Sequence, residues 1–319
     1  MVNMYKIISS SPTFGKYSSD PVDFLKSNHC ELQILPSEIT SDEEKFAHAL
    51  KDADGLIVGV EKITSRVLEG ANNLKVIAKH GAGVDNINVA EAQKRQIAVT
   101  NAPGANRHAV ADLVFGLFLS IARQIPSSFQ EIKEDKWPRV IGTEVFGKTV
   151  GVIGTGRIGK EVIRRAQGFN MNVLCFDLYP DPQIEAQGLG TYVELDELLQ
   201  SADFITVHTD LNDQSKSLIS TEELKTMKSS AFLVNTARGG IIDEDALYQA
   251  LKKGEIKGAA MDVFVQEPIT SSPLLELPNF IATPHMAGYT HEALREVGMI
   301  TARNVLAVLE GKKPEFVIK

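Results

Sequence analysis

A chain of 319 residues, 43% apolar and 23% charged, is long enough for two domains with full cores and has the balance of an ordinary globular protein. Its formal net charge of −8 excludes the basic footprint of a nucleic-acid binder. The two cysteines, Cys30 and Cys175, fit neither a disulfide framework nor a metal-ligand spacing, so no metal is expected and a reducing cytoplasm is the natural compartment.

The first residues, MVNMYKIISSS, hold no cationic leader followed by a long apolar stretch, and no export signal is expected. Strand-like runs then follow at YKIIS (5–9), GLIVGV (55–60), KVIAK (75–79) and IAVTN (97–101). Ser41 with Glu44 has the spacing of a capping box. At NAPGANRH (101–108) Pro103 and Gly104 break the pattern, which suits a domain boundary. The apolar run AVADLVFGLFLSIA (109–122) contains Asp112, is too short to span a bilayer, and reads as a buried helix.

A second series of strand-like runs comprises TVGVIG (149–154), NVLCFD (172–177), FITVHT (204–209), AFLVN (231–235), GAAMDVF (258–264) and FIATP (280–284). Ser220 with Glu223 repeats the capping-box spacing, and DEDALYQALKKG (243–254) is an amphipathic helix with a glycine stop. Continuous rather than alternating apolar runs suit parallel strands covered on both faces. The β-α-β-α alternation predicts doubly wound α/β architecture, and the number of strands calls for two sheets.

GTGRIG places Gly154, Gly156 and Gly159 between a predicted strand and a predicted helix. In that context the helix aims its free N–H groups and positive dipole end at a pyrophosphate. Asp177 ends the next strand, 18 residues after Gly159, where a carboxylate holds the ribose hydroxyls and repels a 2′-phosphate. Leu178 and Tyr179 supply no cation for such a phosphate, so NAD is expected rather than NADP.

Hydride exchange with a keto acid asks for a carboxylate clamp, a proton carrier and a group that tunes the carrier. Arg238, at the end of AFLVN and before Gly239 and Gly240, offers a planar fork for a carboxylate. For the proton carrier the candidate is His285, in IATPHMAG, because imidazole as a group can both take and return a proton near neutral pH. Glu267, in DVFVQEP, lies 18 residues before it, and a carboxylate beside an imidazolium favours the charged form. Taken singly, Arg238 reads more readily as a surface arginine and Glu267 as a loop acid, and His285 reads as well as a structural histidine. All three sit at ends of predicted strands in the glycine-loop domain, where ligands of parallel sheets bind.

With GVDNI (83–87), GTGRIG (154–159), VNTARGGIIDEDAL (234–247), MDVFVQEP (261–268) and TPHMAG (283–288), the chain resembles the NAD-dependent D-2-hydroxyacid dehydrogenases, most of all their D-3-phosphoglycerate dehydrogenase branch. The resemblance implies a Rossmann coenzyme domain, about 104–290, inserted into a flavodoxin-like substrate domain of 1–103 and 291–319, with homodimers formed through the coenzyme domain. It implies catalytic roles for Arg238, Glu267 and His285. It implies cofactor contacts at Ala82, Gly154, Gly156, Arg157, Ile158, Gly159, Asp177, Thr209, Thr236, Ala237, Arg238, Asp262, His285 and Gly288. Of these, Asp262 would hold the nicotinamide amide, and Ala82 would approach the cofactor from the opposite domain. Substrate contacts would come from Lys79, His80, Gly81 and Arg238.

Two departures bear on the substrate. Long members of that branch carry regulatory domains beyond this core, and the arginine they place after the strand that reads GLIVG here is Gly59. A second family arginine is Lys79, followed by His80, and Lys62 follows the neighbouring strand. The expected substrate is therefore a 2-hydroxy or 2-oxo acid, either 3-phosphoglycerate or a related doubly anionic acid, or a compact acid such as glyoxylate or hydroxypyruvate. A third reading, an NAD(H)-sensing corepressor-like binding protein, would not need Glu267 and His285. No membrane or nucleic-acid partner is expected.

Overall fold

The structure, a computed structural model, describes residues 4–318. It falls into two compact units: one runs up to Asn106 and resumes at Tyr289, and the other is Arg107–Gly288.

The first unit is built on β1 (Tyr5–Ser9), β2 (Cys30–Ile34), β3 (Gly55–Val58), β4 (Val76–Lys79) and β5 (Ala98–Thr100). They form one parallel sheet in the order β2-β1-β3-β4-β5, the flavodoxin-like winding. Successive residues point to opposite faces, and both faces are apolar. Ile8, Leu56, Val58 and Ile77 pack with Phe46 and Leu68 on one. Ile7, Ile57, Val76 and Ala78 pack with Leu25, Ala302 and Val305 on the other, where the helix His291–Leu309 covers the sheet. Two-sided burial is why these strands read as uninterrupted apolar runs. β2 has no such run, because it is an edge strand whose Glu31, Gln33 and Ile34 are exposed.

The second unit holds β6 (Thr149–Ile153), β7 (Asn172–Phe176), β8 (Thr191–Tyr192), β9 (Phe204–Val207), β10 (Phe232–Asn235), β11 (Gly258–Met261) and β12 (Phe280–Ala282). All pairings are parallel, in the order β12-β11-β10-β9-β6-β7-β8. The winding reverses between β6 and β9, so the switch point lies at the carboxyl ends of these two strands. Val150, Val152, Phe204 and Val234 face a core with Phe118 and Val162, while Ile153, Ile205, Val207 and Leu233 face another with Leu198 and Leu247. The helix Arg107–Ala122 lies buried in the first of these cores; Asp112 points outward and accepts from Arg165 at 2.7 Å. Among the described residues no single helix is long and apolar enough to cross a membrane.

The helix ends follow local chemistry, with one departure from the sequence reading. Ser220 and Glu223 form the reciprocal capping box, with the Ser220 N–H donating to Glu223 Oε2 at 3.0 Å. Asp243 caps Glu244–Lys253, which ends on Gly254 at φ +70°. Ser41, however, is not the N-cap: it closes the C-terminal end of the helix Ser37–Thr40. Asp42 caps the helix Glu43–Ala49 by accepting from the Glu44 and Lys45 amides, while the Ser41 hydroxyl donates back to the Ser37 carbonyl. One carboxylate oxygen takes two N–H groups there, which leaves the hydroxyl free to bond locally instead.

Candidate active site

In the second unit the glycine loop follows β6, and the helix Arg157–Gly168 begins at once with Gly156 as its uncapped N-terminal residue. A Cβ on Gly159 would stand 2.1 Å from the Gly154 carbonyl oxygen, so this helix is pressed onto the turn it leaves. Only a glycine allows that approach. Arg157 opens the helix, and Ile158 packs on the core beneath it. Free N–H groups at such a helix start suit an anionic pyrophosphate.

Asp177 follows β7, in line with this turn. Its Oδ2 accepts from the Thr155 amide at 2.6 Å and the Thr155 hydroxyl at 3.0 Å, and its Oδ1 accepts from the Tyr179 amide at 2.9 Å. A carboxylate has about four acceptor positions, so room remains for a ribose hydroxyl. Thr209 follows β9 across the switch point. Thr236, after β10, is buried, and its hydroxyl oxygen has no partner among the described residues. An orphaned buried hydroxyl beside the carboxyl ends of the central strands fits a polar ligand group. The residues present therefore fit a dinucleotide.

Three further segments follow the neighbouring strands β10, β11 and β12. After β10 the buried Asn235 holds the turn, accepting from the Ala237 amide and donating to the Arg238 carbonyl, both at 2.9 Å. Gly239 lies so close to the next segment that a Cβ would meet the Phe264 carbonyl at 2.1 Å. After β11, Glu267 Oε1 accepts from the Phe264 amide at 2.9 Å, which turns Oε2 outward. That oxygen lies 2.7 Å from Nδ1 of His285, in the loop after β12. His285 has φ +51°, a left-handed conformation uncommon for a residue with a Cβ and found disproportionately at functional sites.

The His285 loop is held from beneath by Asp262. This fully buried carboxylate accepts from the Thr283 hydroxyl at 2.6 Å and from the Met286 and Ala287 amides at 2.9 and 2.8 Å. Gly288 closes that loop. The fold thus joins Glu267 to His285 directly and sets Arg238 at the end of the adjacent strand.

In the first unit the residues expected to meet substrate are occupied locally. The Lys79 ammonium donates to the Gly59 carbonyl and, at 2.8 Å, to Asn86 Oδ1. His80 Nδ1 lies 3.0 Å from the Ser11 hydroxyl and 3.2 Å from that of Thr13, and burial pushes its pKa down to about 4, with the Lys79 charge adding to the effect. The Gly81 carbonyl accepts from the Ala102 amide and the Ala82 carbonyl from Asn101 Nδ2.

Two contributions escaped the sequence reading. The anchoring of the His285 loop by Asp262 spans 21 to 25 residues, and no local pattern announces it. Thr155 sits inside the glycine motif, where its neighbours draw the attention, and its partner Tyr192 is 37 residues away.

Residues 115–287 match the family model described as D-isomer specific 2-hydroxyacid dehydrogenase, NAD binding domain. The D-3-phosphoglycerate dehydrogenase of Methanocaldococcus jannaschii is 45% identical over 280 residues, which cover 86% of this chain. The chain belongs to the D-isomer-specific 2-hydroxyacid dehydrogenase family. NAD is the cofactor of the matched domain. This family member spans about half, 53%, of the length of the M. jannaschii protein. The glyoxylate reductase of Korarchaeum cryptofilum is 38% identical, over 90% of this chain and 89% of that one. Among solved structures, the TT0316 protein of Thermus thermophilus superposes with a TM-score of 0.89 at 32% identity, covering 98% of this chain and 100% of that one.

Proposed function

We propose that this family member is an NAD-dependent dehydrogenase that interconverts a 2-oxo acid and its D-2-hydroxy acid. The observation that carries the reading is the 2.7 Å contact between His285 Nδ1 and Glu267 Oε2. An ionised carboxylate only accepts, so Nδ1 keeps its hydrogen and Nε2 is the nitrogen that exchanges a proton with substrate. Arg238 clamps the substrate carboxylate through two parallel hydrogen bonds. The nicotinamide, when bound, supplies or takes up the hydride at C2. In reduction His285 delivers its Nε2 proton to the developing alkoxide while Glu267 supports the imidazolium; in oxidation the neutral ring receives the hydroxyl proton. Asp177 holds the ribose hydroxyls, and the start of the helix Arg157–Gly168 receives the pyrophosphate. Of the other expected contacts, the chemistry of Thr236 and its unpartnered hydroxyl supports a place beside the cofactor.

The substrate of this reading is 3-phosphoglycerate or a related doubly anionic acid, supported by the similarity to the M. jannaschii enzyme. A second reading, a compact acid such as glyoxylate or hydroxypyruvate, is favoured by the commitment of Lys79 to Gly59 and Asn86 and by the neutrality of His80. A spectrophotometric NADH-oxidation screen over phosphorylated and unphosphorylated 2-oxo acids tests both. No turnover of any 2-oxo acid would overturn the reaction class, and preference for glyoxylate would select the second substrate.

The domain roles follow the same reading, with the first unit as substrate domain and the second as coenzyme domain. Seven large apolar side chains between positions 125 and 146 are exposed, Ile141 by 92% and Trp137 by 79%. A surface of that kind supports a homodimer through the coenzyme domain, which light scattering would detect. Two unpaired, buried cysteines support a reducing, cytoplasmic setting.

A further inference from the structure

Asp177 is the terminus of a hydrogen-bond chain whose direction can be worked out. Its ionised carboxylate only accepts, so the single hydroxyl hydrogen of Thr155 must point to Asp177 Oδ2. The Thr155 oxygen lies 2.7 Å from the Tyr192 hydroxyl and has no hydrogen left to offer, so Tyr192 is the donor in that contact. The Tyr192 oxygen in turn accepts from the Asp181 amide at 2.9 Å. The chain therefore runs one way, from the Asp181 N–H through the Tyr192 and Thr155 hydroxyls to the carboxylate. Each bond polarises the next in such a series.

Each member is fixed by an element of the fold. Tyr192 lies on β8, paired in register with Cys175 of β7, and its own amide donates to Glu185 Oε1 at 3.0 Å. Thr155 is 3% exposed between Gly154 and Gly156. Asp181 caps the helix Pro182–Ala186, and its carboxylate is ion-paired with Lys160 on the helix that follows the glycine loop. The segment 177–181 is thereby tied at both ends, by Asp177 to Thr155 and by Asp181 to Tyr192 and Lys160.

We infer that Tyr192 and Thr155 are positioning residues for cofactor choice: their relay locks the Asp177 carboxylate in the orientation that accepts a ribose hydroxyl and excludes a 2′-phosphate. The inference rests on the reading that Asp177 meets the adenosine ribose. Without the relay the carboxylate keeps its charge and the amide bonds from Thr155 and Tyr179, but it loses the side-chain bond that sets its tilt, and the phosphorylated cofactor is met by a less rigidly held negative group.

The test is fluorescence titration of NADH and NADPH into the full chain, with kcat measured alongside. Tyr192→Phe should weaken NADH binding about five-fold, because the two neutral hydrogen bonds of its hydroxyl, to Thr155 and from the Asp181 amide, are lost without removing a bond to the carboxylate itself. Thr155→Val should weaken it about ten-fold or more, because the bond lost to Asp177 is to a charged group. In both variants the NADH-to-NADPH affinity ratio should fall while kcat at saturating NADH stays within about two-fold of wild type, and Thr155→Ser should restore the wild-type ratio. Parallel losses of NADH and NADPH affinity with an unchanged ratio would reduce the pair to a general structural role and overturn the proposal. So would unchanged affinities in Tyr192→Phe and Thr155→Val when Asp177→Ala loses NADH. If Asp177→Ala itself leaves NADH affinity and the ratio intact, it is the ribose reading that fails.

Discussion

Glu267 presents one oxygen to its own loop and the other to His285: Oε1 accepts from the Phe264 amide at 2.9 Å, and Oε2 lies 2.7 Å from His285 Nδ1. The carboxylate is thus oriented before any ligand arrives, and it chooses which ring nitrogen keeps the hydrogen. Replacing it with an amide keeps the shape and removes the charge. On the proposed role of His285 as proton carrier, Glu267→Gln is expected to move the alkaline fall of kcat/KM for reduction to lower pH, since the imidazolium loses its negative partner. The pH–rate profile, taken where chemistry limits the rate, checks this; a superimposable profile would remove Glu267 from proton transfer.

Arg238 stands on a turn stitched by Asn235, with Gly239 packed against the Phe264 backbone. Its backbone is therefore held, and its guanidinium Nη1 donates to the Ala237 carbonyl at 2.7 Å. Arg238→Lys keeps the charge and loses the two-pronged geometry, so kcat/KM should fall roughly 100-fold, or about 2.7 kcal/mol. Steady-state kinetics near the wild-type values would falsify the carboxylate clamp.

Asp262 carries three hydrogen bonds from the loop that bears His285, whose left-handed backbone needs such support. Asp262→Ala would leave the Met286 and Ala287 amides without their acceptor, at roughly 1–3 kcal/mol for each group that stays buried. A loss of kcat at saturating substrate is expected, with faster amide hydrogen exchange confined to residues 283–288. Unchanged exchange in that segment would show that Asp262 does not anchor it.

Acid sensitivity follows from two histidines. Burial holds His208 at about 3, and burial with the Lys79 charge holds His80 at about 4, against an ordinary value of 6.5. Both depressed values mean that the unfolded chain takes up protons near pH 6.5 while the native protein does not. Their contribution to stability is therefore complete above pH 6.5 and declines as the pH falls towards 4 for His80 and 3 for His208. Urea unfolding followed between about pH 7 and about pH 4.5 should show that decline, and His208→Asn should flatten it. An unaltered slope in the variant would mean that His208 is protonated in the native protein.

Much of this molecule was legible in its sequence, for a physical reason. Strands buried on both faces are apolar at nearly every position, so GLIV, TVGVI and FLVN announce themselves without alignment or partner. A glycine turn between strand and helix is equally local, as are the Asp243 cap and the Gly254 stop. Asp177, Arg238, Glu267 and His285 could be singled out because each ends such a run, where parallel sheets present their ligands.

Tertiary structure decided what depends on pairing across distance. β2 and β8 are edge strands, one half-exposed and one only two residues long, and neither needs an apolar run. Whether Ser41 or Asp42 caps a helix turned on which oxygen met the free amides. The sequence offered Lys79 as an available cation, and only the fold revealed Gly59 and Asn86 at its ammonium. The orientation of each carboxylate was likewise beyond local reading: Asp262 beneath the His285 loop, and Asp177 at the end of a relay from Tyr192. A hydrogen bond depends on position and direction in space, and residues 18, 25 or 37 apart acquire both only when the sheet has set its strand order.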